Sequence, residues 1–104
     1  MSKLASIRVK GTSGTAYIFH LYPWGTAFKP VGAVYVVTRR SQKSSGGFHH
    51  KRIHIGTTAD LSQGVDQEEQ QDKFERYAAN CIWVHRETDP TVRNQIQRDL
   101  AFAR

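Results

Sequence analysis

Acid is missing from the first half of this chain. Residues 1–56 carry nine Lys and Arg residues and not one Asp or Glu. Residues 57–104 carry six basic against nine acidic residues, a net of −3. The whole 104-residue chain is therefore +6, with its excess positive charge confined to one half. Such a split excludes an anion-repelling first half and expects a polyanionic partner for it, nucleic acid foremost. Cysteine is nearly absent as well. The single Cys81 excludes an internal disulfide framework and a Cys-based structural zinc site. Its place beside Ile82 on an apolar stretch reads as a small buried hydrophobe. No run of about 18 apolar residues occurs, so no helix is expected to span a membrane. The opening Met1-Ser2-Lys3-Leu4-Ala5 lacks the apolar run of a secretory signal, and a cytoplasmic location is expected.

What is present fits one small domain, 1–104, with no internal repeat and no linker. Ala5 to Lys10 alternates, with Ile7 and Val9 on one face. Gly11-Thr-Ser-Gly14 is a turn, and Thr15 to Tyr22 is rich in aromatic and β-branched residues. These form a β-hairpin. Pro23 ends its second strand, because proline cannot serve a central ladder. Tyr22, Trp24 and Phe28 either close one end of the core or form an exposed aromatic platform. Gly32-Ala-Val-Tyr-Val-Val-Thr38 is a central strand, apolar nearly throughout. Residues 39–52 are basic at both ends and Gly/Ser-rich in the middle, which predicts a long, mobile hairpin loop. Lys51 to Gly56 is the return strand, with Ile53 and Ile55 sharing a face.

After Gly56 the character changes. Residues 57–64 predict a short helical turn. Asp66 to Tyr77 is helical by propensity, with Phe74 and Tyr77 inward. Asn80 to His85 is a further strand. Asp89-Pro90 opens a helix with Asp as N-cap and Pro at the first helical position, where its missing N–H costs nothing. Val92, Ile96 and Leu100 repeat at i, i+4, i+8 as its apolar stripe. The order β-β-β-β-α-β-α specifies an α+β fold. The expectation is a small, mostly antiparallel sheet of about five strands, N-terminal hairpin included, flanked by two to three helices.

Three segments carry a recognisable order. Gly32-Ala-Val-Tyr35 ends a first motif. His54-Ile-Gly56-Thr-Thr58-Ala-Asp60-Leu61 forms a second. Arg93-Asn-Gln-Ile96-Gln97 lies on the last helix. Together they resemble the GIY-YIG nuclease superfamily over residues 31–101, with residues 1–30 as an added N-terminal β-hairpin extension. The resemblance implies an active site of Tyr35, His54 and Gln97. There Tyr35 keeps the first motif's tyrosine and His54 replaces the second motif's. Gln97 stands where the family has the Glu that holds a divalent metal, and Gly64 where it has an Arg on the phosphate. A neutral carboxamide is a poor sole anchor for Mg²⁺, and loss of one electrostatic element of this kind costs about 10²–10³ in rate. The implied protein is a GIY-YIG-like domain that is catalytically impaired or inactive, with no cofactor, or with Mg²⁺ only if cleavage is retained.

Alternatives accompany each residue. Tyr35 is an active-site phenol or a packed strand aromatic. His54 is a general base or a solvent-facing strand residue. His49, His50 and His54 invite a metal, but His50 and His54 are four strand residues apart, about 13 Å, so no metal ligand is assigned. The binding candidates are Arg39, Arg40, Lys43, Phe48, Lys51 and Arg52, cations that could follow a phosphate backbone beside an aromatic that could stack on a base. Three functions remain open. The first is a non-catalytic nucleic-acid-binding domain, with DNA favoured over RNA. The second is a divergent metal-dependent endonuclease using Glu68, Glu69 or Asp99 as ligand. The third is a protein-interaction module. No membrane partner is expected, and the sequence leaves the oligomeric state open.

Overall fold

The computed structural model describes residues 3–63 and 68–101, and of residues 68–71 the backbone only. Its elements run β1 (Ala5–Lys10), β2 (Ala16–Pro23), β3 (Ala33–Gln42), β4 (Phe48–Thr58), a 3-10 turn (Leu61–Gln63), α1 (Glu68–Arg76), β5 (Cys81–Arg86) and α2 (Pro90–Ala101). All five strands join one sheet in the order β1-β2-β5-β3-β4, and every neighbouring pair is antiparallel. This is the small α+β fold expected. None of the helices of the described residues is long and apolar enough to cross a membrane.

Position in the sheet follows apolar content. Ala33 to Thr38 and Cys81 to Val84 are buried at every residue, as strands covered on both faces must be. Alternation along them sorts side chains into two cores. Val34, Val36, Cys81 and Trp83 join Val9, Phe19 and Leu21 beneath Ile96 and Leu100 of α2. Ala33, Tyr35, Val37, Ile82 and Val84 pack on the opposite face against Leu61 and Phe74 of α1. Tyr22, Trp24, Phe28 and Val31 close that second core at one end, rather than forming a platform. The N-terminal hairpin is not an appendage. Its β2 pairs directly with β5, and its apolar side chains complete the core under α2.

Helix α2 starts as its sequence dictates. The Asp89 carboxylate accepts from the Thr91 backbone N–H at 2.8 Å. Its other end is fastened to the hairpin through Asp99. That carboxylate accepts from the Thr12 hydroxyl at 2.9 Å, the Ser13 N–H at 2.7 Å, the Ser13 hydroxyl at 2.6 Å and the Tyr17 hydroxyl at 2.7 Å. Those donors hold its pKa well below the usual carboxylate range.

Three expectations need correction; Tyr77, expected inward beside Phe74, is 42% exposed, and the other two concern β3 and β4. Residues 39–52 are not a long loop. Arg39 to Gln42 pairs with Phe48 to Lys51, extending β3 and β4 into a two-stranded ribbon. Only 43–47 turn, with Gly46 and Gly47 at φ 87° and 73°, a region that L side chains seldom adopt. Composition misled there, because the polar, Gly/Ser-rich centre is short and the flanks still find ladder partners. Nor do Ile53 and Ile55 share a face. A bulge falls where Val37 pairs with His54 but Thr38 pairs with Arg52, leaving Ile53 extra. Such an insertion reverses the alternation beyond it. Ile53 therefore packs on the α1 side and Ile55 on the α2 side.

Candidate nucleic-acid interface

The three motif positions do not meet. Tyr35 and His54 lie together on the α1 face, their rings 6.0 Å apart, with Phe74 5.8 Å from His54. Gln97 rides on α2, across the sheet, and its side-chain amide donates to the Ile55 carbonyl at 3.1 Å. It ties α2 to the edge strand. Asp99 is engaged by the hairpin donors. Gly64 lies outside the described residues, as do the side chains of Glu68 and Glu69.

Tyr35 and Gly56 are cross-strand partners, and the phenol lies over the glycine so closely that a Cβ there would sit 2.5 Å from the Tyr35 oxygen. With Tyr35 only 3% exposed, the pair behaves as packing. Burial raises the Tyr35 pKa. His54 is half-buried in an aromatic notch rather than facing solvent. Burial first, then the Lys73 charge, lowers its pKa, which disfavours the charged imidazolium.

The bulge also decides the ribbon's two sides. Beyond it Arg40, Phe48, His50 and Arg52 turn toward the α2 face, while Arg39 and Lys51 turn toward the α1 face. On the first side the Arg40 guanidinium stacks 3.5 Å from the centre of the Phe48 ring. His50 and Arg52 both approach Trp83, at 5.3 and 5.4 Å. Thr38 and His50 are hydrogen-bonded at 3.3 Å. Burial, then Arg40 and His49, depresses the His50 pKa. Two buried donors here, Arg40 Nε and Trp83 Nε1, have no hydrogen-bond partner among the described residues. On the second side Lys51 lies 5.2 Å from the Tyr77 ring. A shallow cavity of about 260 Å³ there is lined by Lys51, Arg52, Ile53, Lys73 and Tyr77, with no carboxylate among the described lining residues. Lys43 sits at the tip, where its backbone closes the turn with Gly46 and Gly47.

Five of the six ribbon residues named from sequence thus divide between two faces, and Lys43 sits at the tip. Sequence reasoning missed Trp83, Lys73 and Tyr77, which come from the ribbon's surroundings, whereas His50 belongs to the basic segment it singled out. It also missed Asn80, whose side-chain amide pairs with both backbone groups of Arg40, at 2.6 and 2.9 Å. That contact clamps the ribbon where β5 begins. Trp83 had one signal, an aromatic on a predicted core strand with a polar nitrogen to satisfy. The others had none. The bulge also separates His50 from His54, which were expected on one face and lie on opposite faces. Among the described residues no group of three or more His, Cys, Asp or Glu is placed to hold a metal ion. No protein-family model matches the chain, and neither a curated protein nor a solved structure matches it.

Proposed function

We propose that the protein binds nucleic acid through the β3–β4 ribbon and does not cleave it. One observation carries the reading: three ribbon cations, Arg40, Arg52 and Lys51, each rest on an aromatic ring in a half of the chain without acid. A cation held over a ring keeps its charge and loses little freedom on meeting a phosphate. The exposed ring of Phe48 offers a stacking surface beside it. A two-stranded ribbon fits the major groove of B-form DNA, about 12 Å wide, whereas the deep, narrow major groove of A-form RNA excludes it. DNA is therefore the favoured partner. The resemblance to the GIY-YIG nucleases is one of chain order alone, since Gln97 lies across the sheet from Tyr35 and His54. Its departures at Gln97 and Gly64 remove two groups that cleavage needs. The lone buried thiol, Cys81, fits a cytoplasmic location.

Fluorescence anisotropy of a labelled DNA duplex at several salt concentrations tests the reading. The logarithm of affinity should fall with the logarithm of salt, by about 0.9 for each phosphate neutralised. Lys43→Gln with Lys51→Gln should reduce that slope by about 1.8. An affinity indifferent to salt, or to both substitutions, refutes the ribbon as the interface. Nicking of supercoiled plasmid in Mg²⁺ or Mn²⁺ that disappears in His54→Ala would instead establish the divergent nuclease.

A further inference from the structure

A second cationic surface lies away from the ribbon. Neither helix covers the α1 face over β1 and β2, and Ile18 is left 45% exposed there. A groove of about 430 Å³ opens on this bare half, lined by Lys3, Ile18, His20, Tyr22, His85 and Arg86. Four of these six carry or can carry positive charge, and none is acidic.

The hydrogen bonds fix what the imidazoles present. His20 Nδ1 lies 2.9 Å from the Ser6 hydroxyl and 3.5 Å from the Lys3 ammonium. An ammonium only donates, so Nδ1 accepts and the proton of neutral His20 resides on Nε2. His85 Nδ1 is 2.8 Å from the Ile18 carbonyl. A carbonyl only accepts, so this nitrogen donates, and the His85 ring packs against Tyr17 and Phe19 on the α2 side of the sheet. Burial, then the charges of Lys3, Arg86 and His85, lowers the His20 pKa. Lys3 and Arg86 thus stand beside His20 with no carboxylate among the described lining residues.

We infer that this groove is a site for a phosphoryl group, bound by the Lys3 ammonium, the Arg86 guanidinium and the His20 Nε2–H. A guanidinium can take two phosphoryl oxygens at once, and an ammonium supplies a point charge beside it. A bound anion offsets the mutual repulsion of the Lys3 and Arg86 charges. The group is either free phosphate or the terminal phosphate of a nucleic-acid strand. The chemistry is common to both, and the site stands whether or not the ribbon binds DNA.

Titration of the ¹⁵N-labelled protein with inorganic phosphate at constant ionic strength, with chloride as control, tests the site. Saturable shifts are expected at Ser6, His20, His85 and Arg86 and not at Arg39 to Arg52. Arg86→Gln, at an exposed strand end, should weaken binding about tenfold, the effect of losing one charged hydrogen-bonding group. His20→Gln should weaken it less, because one uncharged donor is lost. Shifts that never saturate, that chloride reproduces, or that keep the same midpoint in Arg86→Gln overturn the inference. In a second arm, a single strand with a 5′-phosphate is compared with the same strand bearing a 5′-hydroxyl. Tighter binding of the phosphorylated strand, lost in Arg86→Gln, assigns the site to chain ends. Equal binding of both strands, with the phosphate response intact, assigns it to free phosphate. Ribbon variants Lys43→Gln and Lys51→Gln should leave the phosphate response unchanged, which separates this site from the duplex interface.

Discussion

Gly56→Ala adds one methyl group to the protein and should be among its costlier small changes. The new Cβ would lie 2.5 Å from the Tyr35 oxygen, 2.6 Å from Cζ and 3.0 Å from Cε2. Ordinary carbon contact begins near 3.5 Å, so the ring would have to withdraw by about 1 Å. It has nowhere to go, being packed among Ala33, Val37, Leu61, Phe74, Ile82 and Val84 in an interior as dense as a molecular crystal. Overpacking of this kind costs about 1–3 kcal/mol, or a Tm lower by about 5–20 °C for a domain this size. Urea unfolding followed by tryptophan fluorescence reads the change directly. A double-mutant cycle supplies the control. Tyr35→Ala alone should cost about 3–5 kcal/mol. Adding Gly56→Ala to it should cost no more than about 0.5 kcal/mol, since the ring that met the methyl is gone. A Gly56→Ala protein as stable as wild type, or one whose penalty is the same in both backgrounds, refutes the close-packed pair. Either result would return Tyr35 to the status of an unexplained motif residue.

Two further predictions concern pH. The Asp99 carboxyl is held below its ordinary range by the Thr12, Ser13 and Tyr17 donors. Its contribution is thus present above the unfolded value near pH 4 and drains away as pH falls through the lower folded value. Asp99→Asn should lower Tm at neutral pH and flatten the fall in Tm between about pH 4 and 2, and parallel melting curves for the two proteins would count against the clasp. His54 runs by the same logic from another cause. Burial and Lys73 depress its folded pKa, so the unfolded chain takes up the proton first and stability declines as pH drops below about 6.5. His54→Gln should reduce the slope of unfolding free energy against pH between 7 and 5, and an unchanged slope would show that His54 is not desolvated.

Much of the architecture was legible where local and tertiary preferences agree. The apolar run from Ala33 to Thr38 could only be a central strand. Asp89-Pro90 and the stripe Val92, Ile96, Leu100 fixed the last helix at both its cap and its buried face. Legibility failed where a single extra residue decides the outcome. Ile53 and Ile55 look like alternation, and nothing in Lys51-Arg-Ile-His-Ile-Gly56 announces that one residue is left unpaired. That one insertion moved His50 away from His54 and split the basic side chains between two faces. Gln97 failed for a different reason. Its place in a motif is a statement about chain order, while its partner, the Ile55 carbonyl, is set by how α2 crosses the sheet. The groove brings Arg86 to Lys3 and His20, more than 60 positions away in the chain, and left no local trace.

The placement of β5 bears on how the chain reaches this structure. Two hairpins are complete by Thr58, each closed by a short turn, yet they share no ladder. The strand that joins them arrives last and must enter between β2 and β3. Until then both hairpins present an open edge, and β3 presents apolar side chains on both faces. An intermediate of that kind is a template for any extended segment, including the β5 of another copy. Refolding should therefore be limited by a late, long-range insertion, slow for a protein this small. Dilution would favour the chain's own strand over a neighbour's.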